Sequence, residues 1–433
     1  MTWQPPTEVS EDELREISKR TLDRPDLPYV RRDEEFRIDC AGLGWDIAGR
    51  VYEPEPSAAL RGPDGKLVGA FLLHGGGGDH REMDNLCSLL TGKFGVKTVT
   101  VTYPGHYHWD SPTHDWPGEP LDDGTGHPRI ALWDRQNPIG PDEYETITFD
   151  SDPEIRLNRG SSFFAAAKPG TQFYHRQAAW PLAYETAYRT ACANHFPVDG
   201  YSLYLHGHST GGPFVHMLLQ RIENVRGLIG METSPFGYIK RQMDEPGAGG
   251  ERFPFYYQTL RTWRDEARYL GAETGAAGVR MLPLLMEQVF EAWDQNKSKP
   301  GIKVEHFVQF GAVEALTDAA NALADILGMG DTEREDLVAR YVGYTRPLSG
   351  PGAPPLPPLL YIINENSKDH RLDNYNGVLF PELAKLDPAP RTSLTYFHGG
   401  VHDYNKPFAE LPRGVAPVGA SIWHDAIVNG FYA

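Results

Sequence analysis

Tyr201-Ser-Leu-Tyr-Leu-His-Gly-His-Ser-Thr-Gly-Gly212, YSLYLHGHSTGG, is the stretch that decides the fold. Its first half is a short, largely apolar run that ends in glycine, the pattern of a buried strand. FVHMLLQRI (214–222) follows with helical spacing. Between them, Gly207-His208-Ser209-Thr210-Gly211 must turn a strand into a helix within a few residues. So sharp a turn leaves almost no room for side chains two residues before and two after the serine. The serine hydroxyl is thrust above the sheet, where it can meet a base and a carbonyl carbon.

Upstream, GAFLLHGGGG (69–78) is another apolar run feeding a loop, His74-Gly75-Gly76-Gly77-Gly78. Glycines let backbone N–H groups come close to a developing oxyanion. No Gly-Lys-Ser/Thr follows, which argues against a phosphate loop. Met83, Leu86, Leu90 and Phe94 then fall at helical spacing, and VKTVTVTYPGH (96–106) is rich in β-branched residues. Strand, helix, strand in that order predicts a parallel sheet with crossover helices. Further strands are expected at VRGLIGMETSP (225–235), LLYIIN (359–364) and SLTYF (393–397). Helices are expected over 10–22, where Ser10 and Glu13 form a capping box, and over 172–195 despite Pro181. Residues 253–345 look mostly helical, and the Pro/Gly-rich RPLSGPGAPPLPP (346–358) closes them off. From about 107 to 170 the periodicity breaks down and a long loop insertion is expected.

GHSTG (207–211) preceded by HGGGG (74–78) resembles the α/β-hydrolase superfamily, and the glycine loop is similar to the HGGG-type loop of its lipases and esterases. The resemblance implies an α/β fold: a mostly parallel, roughly eight-stranded sheet flanked by helices, with a helical lid. On that reading residues 1–235 and 356–433 form the core and 236–355 the lid. It also implies the triad order serine, acid, histidine. Oxyanion donors carry over as the backbone N–H of Thr210 plus one or two of Gly75, Gly76 and Gly77. The base should follow the last strand, where SLTYFHGGVHDY (393–404) offers His398 and His402. His402 is favoured, because its Gly-Gly-Val-His loop resembles the family's histidine loop. For the acid, Glu365, Asp369 and Asp373 follow LLYIIN. Asp369 is favoured, although it lies farther from the strand than the family usually shows. Glu232, ending LIGME, ranks second, since some members take the acid from that strand. His208 is expected to line the substrate pocket with Glu232, and His206 to pack at the strand end.

The implied chemistry is hydrolysis of a carboxylic ester through an acyl-enzyme, with no cofactor. The insertion and the lid favour a bulky or aromatic ester. Lactonases, amidases and C–C bond hydrolases use the same triad. A ligand-binding protein on this fold is the alternative from another class, but such proteins have usually lost a triad member. His106, His108, Asp110, His114 and Asp115 crowd one loop, yet no helical His-x-x-x-His or cysteine ligand accompanies them, so no metal is expected. Aromatics of the insert such as Phe253, Trp263 and Trp293 are expected mostly in its core, with some facing the site.

Composition agrees with a globular enzyme: 433 residues, 40% hydrophobic and 23% charged, with a formal net charge of -18. An acidic surface disfavours nucleic acid and anionic lipid as partners and leaves a small ester-type molecule as the natural one. Oligomeric state is left open. Cys40, Cys87 and Cys192 are too dispersed for a disulfide framework or a zinc site. No secretory leader or apolar run long enough to span a membrane is visible, so a cytoplasmic protein is expected.

Overall fold

The computed structural model describes residues 7–75, 79–104, 134–148, 163–209, 211–233, 312–345, 347–348, 350–367, 372 and 375–432. Eleven strands are found among them: β1 Thr7–Val9, β2 Tyr29–Cys40, β3 Leu43–Pro54, β4 Leu67–Leu73, β5 Lys97–Val101, β6 Tyr144–Thr148, β7 Phe163–Ala167, β8 Tyr201–Gly207, β9 Val225–Met231, β10 Leu359–Asn366 and β11 Thr392–Val401. The main helices are α1 Glu11–Leu22, α2 Asp84–Phe94, α3 Gln172–His195, α4 Gly211–Leu218, α5 Ala312–Leu327, α6 Asp331–Val342 and α7 Ala416–Val428.

Nine strands form one sheet in the order β1-β11-β10-β9-β8-β4-β5-β3-β2. From β1 to β5 every neighbouring pair is parallel, and only β3, antiparallel to both β5 and β2, runs the other way. The hairpin joining β2 to β3 turns at Ala41 and Gly42, both left-handed at φ 54° and 74°, the conformation a two-residue primed turn needs. This is the mostly parallel, helix-flanked sheet of the α/β-hydrolase fold. The ninth strand, beyond the expected eight, is β1, which adds to the free edge of β11.

A sheet covered on both faces must be apolar on both. Alternate residues of β4 show it: Phe71 and Leu73 pack in one core, Ala70 and Leu72 in the other. The first core is roofed by α3, through Trp180, Tyr184 and Tyr188, together with Leu316 and Leu323 of α5. The second holds Leu14 of α1, Leu86 and Leu90 of α2, and Trp423 of α7. The capping box on α1 is formed: the Glu13 N–H donates to Ser10 Oγ and the Ser10 N–H to Glu13 Oε2 at 2.8 Å.

One part of the expected organisation differs. The 107–170 stretch is not all loop, because β6 and β7 pair within it as an antiparallel hairpin. Its described start is also anchored to the core. Asp134, fully buried, accepts from Arg37 at 2.7 and 3.0 Å and from the fully buried Arg176 at 3.3 Å. The strand pattern of YETIT is too short to stand out without this partner. Of the expected lid, only α5, α6 and residues up to 355 fall among the described residues, and these helices pack against α3 and the sheet core. The three cysteines are buried and free. No described helix is long and apolar enough to cross a membrane.

Candidate active site

β8 lies at the centre of the sheet, and the turn after it is tied to both neighbours. The His208 N–H donates to Leu73 O at the end of β4, at 2.9 Å, and the Ser209 N–H donates to Glu232 O just past β9, at 3.0 Å. Ser209 itself is left-handed, φ 49°, a conformation that strains a residue with a β-carbon and is found where the surroundings enforce it. The flanking glycines are steric necessities. A Cβ on Gly207 would stand 2.4 Å from Gly211 O, and one on Gly211 would stand 2.7 Å from His74 O. Backbone stands on both sides, so neither clash can relax cheaply.

Glu232 is the other left-handed residue here, φ 54°, and its side chain is fully buried. Four donors surround its carboxylate, as a buried charge requires. The backbone N–H and Nδ2 of Asn364 donate to Oε1 at 2.5 and 3.1 Å. The Ser367 hydroxyl and His402 Nδ1, the latter at 3.3 Å, donate to Oε2. With Nδ1–H given to a carboxylate, Nε2 of His402 is the end of the ring that carries the basic lone pair. His402 sits just beyond β11, in a loop that glycines make possible. Gly399 and Gly400 are both left-handed, and Asn364 Nδ2 also donates to Val401 O at 3.1 Å. The ring stays partly open to solvent, with 23% of its side chain exposed, which leaves room for a reactant.

Ser209, Glu232 and His402 therefore belong to one hydrogen-bonded assembly. His398 does not: it is exposed on β11, where it pairs with Glu8 at 3.1 Å and approaches Glu365 at 3.8 Å. Asp369 and Asp373 lie outside the described residues, as do Gly76, Gly77, Thr210, the 106–115 histidine loop and the aromatics from 253 to 293. Gly75 requires a correction as an oxyanion donor. Its N–H donates to Glu82 Oε2 at 3.2 Å, because the short helical turn His80–Met83 brings that carboxylate back against the glycine loop. His208, expected along the pocket, is buried, with Nδ1 on Glu82 and Nε2 on His402 O. His206 is packed at the strand end as expected, with Nδ1 at 2.9 Å from Ile229 O.

Sequence reasoning passed over Glu82, Asn364 and Ser367. Asn364 had a usable signal, since it ends the strand run LLYIIN where an acid was being sought and donates to the acid instead. Burial works to raise Glu82, but the charge and hydrogen bond of His208 and the Gly75 N–H outweigh it and hold the carboxyl below its usual range. Among the described residues no group of three or more His, Cys, Asp or Glu side chains could hold a metal ion.

No family model matches the chain, and no curated protein matches it. Solved structures do. An S-formylglutathione hydrolase from Agrobacterium tumefaciens is 12% identical, with 93% of this chain and 99% of that one covered and a TM-score of 0.40. The Francisella virulence factor BioJ is 13% identical, with 96% and 91% covered and a TM-score of 0.39. A thermostable esterase from Pseudomonas putida is 14% identical, with 97% and 88% covered and a TM-score of 0.36. These likenesses lend no residue a role.

Proposed function

We propose that the chain is a serine hydrolase that cleaves a carboxylic ester or a close acyl relative through an acyl-enzyme. The observation that carries the reading is the buried Glu232 carboxylate on His402 Nδ1, in the same assembly as a strained Ser209 at the end of the central strand. Glu232, rather than Asp369, is the acid we assign. His402 Nε2 takes the proton as Ser209 Oγ attacks the carbonyl carbon, and Glu232 holds the ring and balances the imidazolium. The tetrahedral intermediate collapses as the imidazolium returns that proton to the departing alkoxide. Water, deprotonated by the same nitrogen, then attacks the acyl-enzyme and releases the acid. Thr210 N–H and one of Gly76 and Gly77 are the proposed oxyanion donors, since the Gly75 N–H is engaged by Glu82. The same machinery would open lactones or amides. A bulky or aromatic acyl group remains the expected preference, resting on the size of the insertions at 107–170 and 236–355.

The test is a fluorophosphonate probe with the adduct located by mass spectrometry, alongside a series of p-nitrophenyl esters of increasing acyl length. Labelling at Ser209, lost together with turnover in Ser209→Ala, supports the reading. Wild-type turnover in Ser209→Ala would sink it, and a folded protein that is neither labelled nor active would favour ligand binding on a hydrolase scaffold. A rate maximum at short acyl chains would remove the bulky-substrate preference alone.

A further inference from the structure

Beside the Glu232–His402 pair stands a second carboxylate–imidazole pair. Glu82 Oε1 accepts from His208 Nδ1 at 2.5 Å, and His208 Nε2 faces His402 O at 3.0 Å. A carbonyl oxygen can only accept, so Nε2 carries a hydrogen. A carboxylate also accepts, so Nδ1 carries the other. The pattern is that of an imidazolium between an anion and a carbonyl. The other Glu82 oxygen accepts the Gly75 N–H at 3.2 Å. One ion pair thus links the glycine loop, the nucleophile turn and the histidine loop, three segments far apart in sequence. The packing is close: a Cβ on Gly75 would lie 3.0 Å from His208 Nδ1 and 3.3 Å from Ser209 Cβ. The His208 ring centroid is 4.9 Å from that of His402 and 5.0 Å from that of Tyr404.

We propose that Glu82 and His208 are positioning residues that act as a clasp, holding the glycine loop and His402 in register with Ser209. This rests on the hydrolase reading above. The groups facing the pair are His74, His206, His402 and Tyr404. Burial keeps His74 and His206 neutral, the latter pushed down to about 3, and the His208 ring, with both N–H groups on acceptors, stands beside that of His402. A cation there opposes protonation of His402. Removing it should move the acid limb of the rate profile to higher pH, an effect that packing alone would not produce.

Glu82→Gln and His208→Asn, made in the full chain, should each lower kcat by up to about 100-fold through misregister, with KM little changed. His208→Asn should also shift the acid limb of kcat upward by about one pH unit. Fluorophosphonate labelling of Ser209 should slow in parallel, and the double variant should be no worse than the poorer single one. A single variant with wild-type kcat and an unmoved limb overturns the clasp. Losses that are additive, with the limb unmoved, overturn it too, because they describe packing only. If His208→Asn does not fold, the nearly isosteric Glu82→Gln decides. If the wild-type protein is never labelled at Ser209, the hydrolase reading fails separately. The clasp is then decided by NMR of histidine-labelled protein: two His208 ring N–H signals, absent from His208→Asn, uphold it, and one signal or none overturns it.

Discussion

Glu232→Gln is the most informative single change, because the surroundings of this carboxylate dictate how the amide must sit. Oε1 faces the backbone N–H and Nδ2 of Asn364, donors that cannot reverse. An amide nitrogen there would meet two donors in a buried site, a loss of about 1–3 kcal/mol. The amide therefore places its nitrogen on the Oε2 side. There the Ser367 hydroxyl can rotate to accept, and His402 can accept only by moving its proton from Nδ1 to Nε2. That tautomer leaves Nε2 with no lone pair for the proton of Ser209. In a serine-protease triad the equivalent change of acid to amide lowers kcat about 10⁴-fold, roughly 5 kcal/mol of transition-state stabilisation. A loss of that order is expected here, with KM nearly constant and stability lower by about 1–3 kcal/mol from the lost charge-assisted bonds. The assay is steady-state hydrolysis of a p-nitrophenyl ester, with thermal unfolding as the control and Asp369→Asn in parallel. Asp369→Asn should stay within a few-fold of wild type. If Glu232→Gln keeps kcat within about tenfold of wild type while Asp369→Asn loses it, the acid is Asp369 and the argument from Glu232 is wrong.

Gly207→Ala should abolish labelling of Ser209 and destabilise by about 1–3 kcal/mol, because its Cβ would fall 2.4 Å from the Gly211 carbonyl oxygen; an active variant would refute the packing of the turn. Asp134→Ala strands the fully buried Arg176 guanidinium and should lower unfolding free energy by about 3–5 kcal/mol in denaturant titration, where a change near zero would show that the anchor of the 134–148 segment is dispensable. Burial pushes His206 and His216 from 6.5 down to about 3, so between those values the unfolded chain binds more protons than the folded one. Stability should then fall as pH drops below about 6.5, by up to about 1.4 kcal/mol per pH unit for each ring. His74 and His80 act in the same direction and the exposed His398 weakly against it. A melting temperature unchanged from pH 7 to pH 5 would contradict this.

The turn at Ser209 was legible because its context is local. Gly207 is forced by the Gly211 carbonyl four residues on, and although Gly211 is forced by His74 O at the end of the neighbouring strand, the strand–turn–helix context can be read from a dozen residues. The position of His402 was legible for a related reason, since two glycines soon after the run SLTYF announce a bend in the chain just before it. The acid is a different kind of question. Glu232 and Asp369 both follow strands that end near the turn, and choosing between them needs the path of the histidine loop in space. Between β9 and β11 lies β10, so a side chain at the end of β9 must reach His402 across a strand. It can do so because the pairing of β10 with β11 slips between Asn364 and Asn366, and Gly399 and Gly400 curl the chain back over β10. That slip has no signature in composition or periodicity. The β6–β7 hairpin and the Glu82–Gly75 contact were hidden for the same reason, since each is a pairing between short segments set by partners that periodicity does not register.

The energetic logic of the site follows from where its strain sits. Ser209 and Glu232 are both left-handed non-glycine residues, each following a central strand, and the Ser209 N–H donates to the Glu232 carbonyl. A residue held so costs on the order of 1–3 kcal/mol and persists only where its neighbours over-determine it. Here they do. The Glu232 N–H donates to Ile362 O at 2.9 Å, its carboxylate has four donors, and the Ser209 turn is pinned on both sides. Straightening either residue would break the contacts of the other. The proposed nucleophile and the proposed acid are therefore coupled through the backbone before any substrate arrives. Perturbing Asn364, which touches neither nucleophile nor base, should then reach the chemistry through Glu232. Asn364→Ala removes the side-chain donor to Oε1 and the tie to Val401 O. It should lower kcat more than it lowers binding of a competitive inhibitor, since orientation of His402 and not substrate contact is lost. Equal losses in both would show instead that the loop as a whole had moved.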